Sequence, residues 1–492
     1  MKHILILAAC ATLAVSQTAP NISPATQSTL DHITANSLRG HLSFIASDLL
    51  EGRATPSPGL DIAAEYIAAQ FRRAGLETIG DDGYFQTANY VAFTPNPEGF
   101  SLSIDAAGKT FKLEASGATF GGGSGADLTN APIVKADWDK PELLNDMAAG
   151  ALEGKALFLP DLPASKRNAA FGVVTNAAKL HPTLILTSDA FLARNLTRST
   201  MQPAPTADGR RAPAVVSVAS TDAVALLAGD GHVTAYVTAH IAAPKEKAIK
   251  VRNVAGLLRG SDPQLSKTYV LLTAHYDHIG TRPGGADTIF NGANDDGSGT
   301  VSVVEIASAL ATLSEHPKRS IVFMTFFGEE LGLVGSRYYG QHPLVPVAAT
   351  IADINLEQIG RTDANNGPQV DNATFTGYDF TDVPAIFEAA GRAVGIKVYK
   401  DEQRSDAFFA RSDNQAMADQ GVPSTTMCVA FEYPDYHGLG DEWPKVDYNN
   451  MAKVDRMVAL GLLTLASDHP APKWNEANPK TAKYVEAARK LK

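Results

Sequence analysis

Cysteine is almost absent from this sequence, which has only Cys10 and Cys428 among its 492 residues. Cys10 lies in an N-terminal segment that we expect to be removed from the mature protein. The single remaining thiol can form no intrachain disulfide. The stability of the mature chain must therefore come from packing, with any bound metal adding to it.

Concentrated positive charge is also lacking. The chain has 42 Lys and Arg residues against 53 Asp and Glu residues, and its formal net charge is -11. Proteins that bind nucleic acids or anionic membranes carry basic clusters, so we expect neither as a partner. The acidic balance suits metal ions or a substrate amine, and it suits general solubility equally well.

Long apolar runs are missing beyond the N-terminus, so the mature chain is not expected to span a membrane. The first 19 residues have a basic start, an apolar run over 4–15 and the small-x-small pattern Ala14-Val15-Ser16, which together predict a signal peptide. The alternatives are a buried first helix and a lipid anchor at Cys10, since Leu7-Ala8-Ala9-Cys10 resembles a lipoprotein cleavage box. We expect an exported protein, periplasmic or secreted.

The length and composition predict two or three compact units of ordinary globular character. Short apolar runs with glycine and proline between them, over about 100–245, predict an inserted β-rich domain. The predicted divisions are a signal peptide at 1–19, opening helices with the first part of the catalytic domain at 24–98, the insert at 100–245, the main part of the catalytic domain at 246–470 and a tail at 471–492.

Beyond Lys250, apolar runs alternate with helical patterns. The runs are Tyr269–Thr273, Ile321–Phe327, Thr350–Leu356 and Thr425–Phe431, and the helical segments include Thr300–Leu313 and Val383–Val394. This alternation predicts an α/β fold with a mostly parallel, mixed central sheet and helices on both faces.

Polar residues follow these apolar runs, at the sheet edge where α/β proteins bind ligands. They are His275, Glu329, Glu330, Glu357 and His437. Histidine and carboxylate are the usual zinc ligands of hydrolytic sites, and the lack of cysteine ligands favours a catalytic site over a closed structural one.

An acidic turn, Asn294-Asp295-Asp296-Gly297, stands directly before the helix that begins near Thr300. A carboxylate shared between two ions holds them about 3.5–4 Å apart in di-metal aminopeptidases. We therefore expect one of the carboxylates that meet at the sheet edge to be a bridging ligand.

Four motifs in order resemble those of the co-catalytic zinc aminopeptidase family, which includes secreted bacterial aminopeptidases, glutamate carboxypeptidase and glutaminyl cyclases. The motifs are His275-Tyr276-Asp277, Gly292 to Gly299, Gly328-Glu329-Glu330 and Tyr436-His437. The resemblance covers about 251–467 and extends more loosely to the opening helices and to a protease-associated domain at the position of the insert. It implies a zinc exopeptidase fold.

The resemblance also implies the roles of the site residues around two zinc ions per subunit. Asp295 would bridge the ions, His275 and Glu357 would complete one site, and Glu330 and His437 would complete the other. Glu329 would be the general base. Asp277 would hold the second ring nitrogen of His275, and the Asp295-Asp296 peptide would be cis.

Several assignments have alternatives. Most relatives have Asp where this chain has Glu357, and Asp353, four residues deeper in the same strand, is the other possible ligand. We favour surface exposure for His278 and a helix N-terminal position for Asp296 over metal binding. Asp413 either caps a helix or supports the metal ligands.

The expected reaction is hydrolysis of the N-terminal peptide bond by a hydroxide held between the two ions, with Glu329 accepting the proton of its parent water. Tyr433 or Tyr436 is a candidate to stabilise the oxyanion. A carboxypeptidase or a glutaminyl cyclase on the same scaffold is the alternative, and a non-catalytic binding protein is a further one. Peptides are the expected substrates, and the oligomeric state is left open.

Overall fold

The computed structural model describes residues 22–491, apart from 167–176, 178, 199–200, 204–210, 219, 228–234 and 283. The predicted signal peptide and the possible lipid anchor at Cys10 lie outside the described residues. Cys428 is a free, buried cysteine.

Twelve α-helices occur in the described part of the chain. They are α1 (Pro24–Leu30), α2 (Ala35–Ile45), α3 (Pro58–Ala74), α4 (Glu142–Asn145), α5 (Ala190–Arg198), α6 (Thr221–Leu227), α7 (Gly299–Leu310), α8 (Val334–Gln341), α9 (Val383–Val394), α10 (Asn414–Asp419), α11 (Tyr448–Ala466) and α12 (Ala482–Lys490).

The same residues form twenty strands. They are β1 (Glu77–Thr78), β2 (Phe85–Thr94), β3 (Ser101–Ala106), β4 (Lys109–Leu113), β5 (Phe120–Gly122), β6 (Ala126–Lys135), β7 (Ala156–Leu159), β8 (Leu184–Thr187), β9 (Met201–Pro203), β10 (Ala214–Ser217), β11 (Ala235–Ile241), β12 (Lys245–Leu258), β13 (Tyr269–His275), β14 (Gly280–Thr281), β15 (Ile289–Phe290), β16 (Ser320–Phe326), β17 (Thr350–Leu356), β18 (Asn372–Phe375), β19 (Lys397–Tyr399) and β20 (Ser424–Cys428).

The described residues divide into two compact units, one of 22–87 with 252–491 and the other of 88–251. In the first unit the sheet has the strand order β19-β18-β20-β17-β13-β16-β12, and β1 also pairs with β12. The central strands β20, β17, β13 and β16 are mutually parallel. β12 is antiparallel to β16, and β18 is antiparallel to β20. The result is the predicted mixed, mostly parallel sheet.

The central strands are apolar along both faces, as strands covered on both sides must be. Leu271 and Met324 pack in one hydrophobic cluster with Tyr339 of α8 and Met417 of α10. Because alternate side chains point to opposite faces, Leu272 and its neighbours face the other side, where α7 and α11 contact β13. Helices on both faces thus leave the carboxyl ends of the strands as the open edge.

The opening helices have clear local signals. Ser57 caps α3 by accepting a hydrogen bond from the backbone nitrogen of Leu60, and Pro58 follows it. The helix ends at Gly75, whose φ of 78° is the left-handed conformation that glycine adopts without strain. Ile67 and Phe71 on its inner face are fully buried.

The second unit is built around an eight-stranded sheet with the order β4-β3-β11-β6-β7-β8-β10-β5. Strands β6, β7, β8 and β10 are parallel to one another, and the strands at both ends are antiparallel to their neighbours. Alternate residues of β11, such as Val237 and Ala239, are buried in its core.

Across the described residues, each helix is too short or too polar to cross a membrane.

Candidate active site

The predicted site residues lie where the central strands end. His275 is the last residue of β13 and is paired in register with Phe326, the last residue of β16. Glu329 begins the turn after β16, and Glu357 directly follows β17. Parallel strands end at a common edge, so these side chains meet there although they are up to 82 residues apart in the chain.

One group of possible metal ligands consists of His275, Glu329 and Glu357, which each offer an atom within 4.8 Å of the others. The Nε2 atom of His275 lies 3.9 Å from Oε1 of Glu357. The same nitrogen lies 3.4 Å from Oδ1 of Asp295. His275 is completely buried.

A second group gathers around Glu330. Its Oε1 atom lies 2.9 Å from Nδ1 of His278 and 3.1 Å from Nε2 of His437. His437 also lies 3.0 Å from Oδ2 of Asp295. His278, Asp295 and Glu330 each offer an atom within 4.8 Å of the others.

Asp295 is a member of the second group and also lies beside His275 of the first. Its Oδ1 atom faces His275 of the first group and its Oδ2 atom faces His437 of the second. The Asp295-Asp296 peptide bond is cis, as the resemblance implies. The two oxygens of one carboxylate thus face histidines of different groups.

The inner atoms of both groups lack hydrogen-bond partners among the described residues. These atoms are Nε2 of His275, Oδ2 of Asp295, Oε1 of Glu330 and both ring nitrogens of His278. Buried polar atoms are normally satisfied, so a cluster of unpaired nitrogen and carboxylate oxygen atoms needs another partner. Imidazole nitrogen with carboxylate oxygen is the donor set of catalytic zinc sites, and the residues therefore fit zinc.

The electrostatics of the site also favour cations. Burial acts to lower the pKa of His437, but the carboxylates of Asp295 and Glu330 outweigh it and raise that pKa to about 10. The pKa of Glu329 is raised well above its usual value by burial and by the negative charges of Glu357 and Asp413. Several buried carboxylates thus share one space and need positive charge beside them.

Comparison with known proteins finds a family match for part of the chain. Residues 253–461 match peptidase family M28. The chain contains a peptidase family M28 domain. This match confirms the predicted zinc peptidase family and the predicted enzyme class, a peptidase.

The M28 domain also has relatives and structural neighbours. The vacuolar membrane protease of Aspergillus clavatus is 39% identical over 103 residues, which are 20% of this chain and 10% of that protein. The chain therefore spans about a tenth of the length of this relative.

Two solved structures share the fold over most of the chain. An aminopeptidase from Aneurinibacillus sp. strain AM-1 matches with a TM-score of 0.60 and 20% identity, covering 92% of this chain and 97% of its own. A zinc aminopeptidase from Bacillus subtilis matches with a TM-score of 0.52 and 18% identity, covering 89% and 97%. These likenesses confirm the predicted fold class.

Asp277 supports two parts of the M28 site. Nδ1 of His275 lies 3.2 Å from the backbone oxygen of Asp277 and 3.5 Å from its Oδ1. The Asp277 carboxylate also accepts hydrogen bonds from the backbone nitrogen of Glu329 and the hydroxyl of Thr55, both at 3.1 Å. Asp277 therefore positions the Glu329 turn as well as the His275 ring.

The Asp296 carboxylate accepts hydrogen bonds from backbone N–H groups, which agrees with its predicted position at a helix N-terminus. Its Oδ1 atom accepts hydrogen bonds from the backbone nitrogens of Gly299 at 3.0 Å and Gln358 at 3.1 Å. Because Gln358 follows Glu357, Asp296 ties the start of α7 to the end of β17. Asp296 is a member of neither ligand group.

Glu357 and Asp353 have different surroundings. Glu357 faces His275, whereas the Asp353 carboxylate accepts hydrogen bonds from the hydroxyls of Thr273 at 3.0 Å and Ser424 at 2.6 Å. Burial raises the pKa of Asp353 to about 7, although these hydroxyl contacts act in the opposite direction. The geometry therefore favours Glu357 as the residue that faces a metal.

The predicted exposure of His278 is wrong. Its side chain is buried, since the loop after β13 folds inward and places the ring between Glu330 and His437. The sequence offered a weak signal, a second histidine three residues after His275. Exposure was expected because the loop itself was expected to lie on the surface.

Asp441 was missed entirely. Its buried carboxylate accepts hydrogen bonds from the backbone nitrogens of Asn294 and Asp295, both at 3.0 Å, and from the Tyr433 hydroxyl at 2.8 Å. The Asp295 turn is thereby joined to the loop that carries His437. No local motif around Asp441 signals this contact.

Arg53 is a second missed residue, fully buried in the turn before α3. Its guanidinium donates hydrogen bonds to the backbone oxygens of Tyr276, Ile45, Asn291 and Gly292, at 2.6 to 2.8 Å. Burial lowers its pKa to about 10, against the raising effect of Asp277 and other nearby acids. Arg53 thereby links the loop of residues 275–278 to the loop that leads to Asp295.

Three further candidates also have defined places. Asp413 is the residue before α10, but its side chain makes no capping hydrogen bond and accepts one from the Ser336 hydroxyl instead. Tyr433 donates its hydroxyl to Asp441, whereas Tyr436 is partly exposed and stacks on the His437 ring at 4.2 Å.

Proposed function

We propose that the protein is an exported di-zinc aminopeptidase that removes N-terminal residues from peptides. The observation that carries the proposal is the position of Asp295, with one carboxylate oxygen toward each of two groups of histidine and carboxylate side chains. We assign His275 and Glu357 to one ion, Glu330 and His437 to the other, and Asp295 to both.

Two zinc ions, when bound, supply an activated water and a Lewis acid for the peptide carbonyl. Glu329 is assigned as the general base because it lies beside His275 and Glu357 and its neighbour Glu330 faces the other group. The carboxylate of Glu329 accepts the proton of the attacking water and then delivers it to the nitrogen of the leaving amine. Its turn is held by the Asp277 carboxylate, which fixes where that proton is received.

Tyr436 is our candidate for steadying the oxygen that becomes negative during attack. The hydroxyl of Tyr433 already donates to Asp441 and is buried, so it is less free to serve. Tyr436 lies next to His437 and its ring stacks on the imidazole. The Tyr436 side chain is also partly exposed.

The choice of aminopeptidase rests on the structural neighbours that bear this name, which share the fold of nearly the whole chain. Carboxypeptidase and glutaminyl cyclase activity are the alternatives on the same scaffold. Export is proposed from the basic start and apolar run at the N-terminus.

The test is activity of purified protein on aminoacyl amides, on peptides with a blocked N-terminus, and on peptides with N-terminal glutamine. We expect release of the N-terminal residue from the first class. Release of only the C-terminal residue, or only pyroglutamate formation, would contradict the aminopeptidase assignment and identify which alternative is correct.

A further inference from the structure

We propose that His278 is an additional metal ligand, completing the site of Asp295, Glu330 and His437. This inference rests on the proposed function, because it concerns one of the two ions assigned there. It adds a third histidine to the two that the sequence pattern predicts.

The first observation is the relation between His278 and Glu330. Nδ1 of His278 lies 2.9 Å from Oε1 of Glu330, yet neither atom forms a hydrogen bond within the part of the chain described here. A buried imidazole and a buried carboxylate at this distance would normally hydrogen-bond. Two such atoms that lie close together without a hydrogen bond between them have the arrangement of two ligands of one ion.

The second observation is that the other members of the group surround the same place. Nε2 of His437 lies 3.1 Å from the same Glu330 oxygen, and Nδ1 of His278 lies 4.0 Å from Oδ2 of Asp295. The His278 and His437 rings are 5.6 Å apart and nearly perpendicular. Atoms of His278, Asp295 and Glu330 thus lie within 4.8 Å of one another, and His437 contacts the latter two.

The third observation is that the backbone is shaped to hold the His278 ring. Gly292 packs against it so closely that an added Cβ would lie 2.3 Å from Cγ of His278. Arg53 contacts both residues. Its backbone oxygen accepts a hydrogen bond from the backbone nitrogen of His278, and its guanidinium donates one to the backbone oxygen of Gly292. The ring is therefore fixed before any ligand binds.

The consequence is a difference between the two metal positions. His278, Asp295, Glu330 and His437 provide four protein ligands at one position, whereas His275, Asp295 and Glu357 provide three at the other. Catalytic zinc sites keep an open position beside three protein ligands. The position with His278 is thus the tighter one, and the position with His275 and Glu357 is the more open to substrate.

The experiment measures metal binding directly. Wild-type protein and the variants His278→Ala, His278→Gln, His437→Ala and His32→Ala are stripped with a chelator and titrated with Zn²⁺ by calorimetry and with Co²⁺ by visible absorption. His32 is an exposed histidine of the first unit and serves as the matched control. Circular dichroism of the stripped proteins shows whether each variant is folded.

We expect two ions to bind to the wild type. The variants of His278 and His437 should each weaken binding of the same ion at least tenfold and alter its cobalt absorption, and free imidazole should restore part of the loss in His278→Ala. His32→Ala should match the wild type. Unchanged affinities and cobalt absorption in both His278 variants would overturn the assignment of His278 while leaving the proposed function intact.

Wild-type protein that binds neither metal would instead contradict the proposed function itself. A measurement without variants covers the case in which the His278 variants do not fold. In wild-type protein with ¹⁵N-labelled histidine and bound ¹¹³Cd²⁺, three histidines should show nitrogen–cadmium coupling. Coupling to only two would overturn the proposal.

Discussion

Oδ2 of Asp441 lies 3.0 Å from the backbone nitrogen of Asp295, and the same oxygen accepts a hydrogen bond from the Tyr433 hydroxyl. One buried carboxylate thereby links the proposed bridging ligand to the loop that carries His437. Outer residues that orient metal ligands commonly contribute a factor of about 10–100 to metal affinity.

Asp441→Ala should weaken zinc binding by about 10–100-fold, because the N–H groups of Asn294 and Asp295 and the Tyr433 hydroxyl all lose their acceptor. Calorimetric titration of the stripped protein measures the loss. Asp262→Ala is the matched control, since the Asp262 carboxylate also accepts hydrogen bonds from two backbone N–H groups, those of Gln264 and Leu265, but is only partly buried. Equal zinc affinity in Asp441→Ala and the wild type would show that the Asp295 turn needs no such support.

Glu329→Gln should keep both ions and lose about 10²–10⁴-fold in kcat, because the amide cannot accept the proton of the attacking water. Metal analysis and steady-state kinetics on an aminoacyl amide check the two parts of this prediction. A variant with near-normal kcat would remove Glu329 from the role of general base.

Glu357→Ala should weaken one of the two ions, whereas Asp353→Asn should leave both in place. The reason is that Glu357 faces His275 while Asp353 is held by the hydroxyls of Thr273 and Ser424. Zinc content after dialysis against a weak chelator distinguishes the two variants. The opposite result would make Asp353 the fifth ligand.

Asp353 should also make stability depend on pH. Burial raises its folded-state pKa to about 7, above its usual value of 3.8, so the unfolded chain loses this proton at lower pH than the folded chain does. The contribution of Asp353 to stability therefore falls as pH rises from about 4 to about 7, by up to roughly 4 kcal/mol.

Urea unfolding of metal-free wild-type protein and Asp353→Asn at pH 4.5 and pH 8 tests this dependence. The stability of the variant relative to the wild type should increase between the lower and the higher pH. A difference that stays constant, or that changes in the opposite direction, is incompatible with a raised pKa at this residue.

The site residues at the strand ends could be predicted from the sequence, because the position of each depends on a local pattern. An apolar run followed by His275 or by Glu357 places the polar residue at the sheet edge, and parallel strands bring such residues together. The same reasoning gave the mixed sheet and the helices on both of its faces.

The supporting residues could not be predicted in this way. Asp441 acts on a turn 146 residues earlier in the chain, and Arg53 acts on a loop 223 residues later. Such contacts depend on how loops fold over the sheet edge, which neither hydrophobic periodicity nor a short motif encodes. His278 was mistaken for a surface residue for the same reason, since only the path of its loop decides its burial.

The most direct test of the account is metal removal. Purified protein is assayed on a panel of aminoacyl amides, then stripped with a chelator, analysed for metal content, and reconstituted with Zn²⁺. We expect activity to disappear with the metal and to return as zinc approaches two ions per chain. Full activity in protein that contains no metal would contradict the proposed di-zinc site.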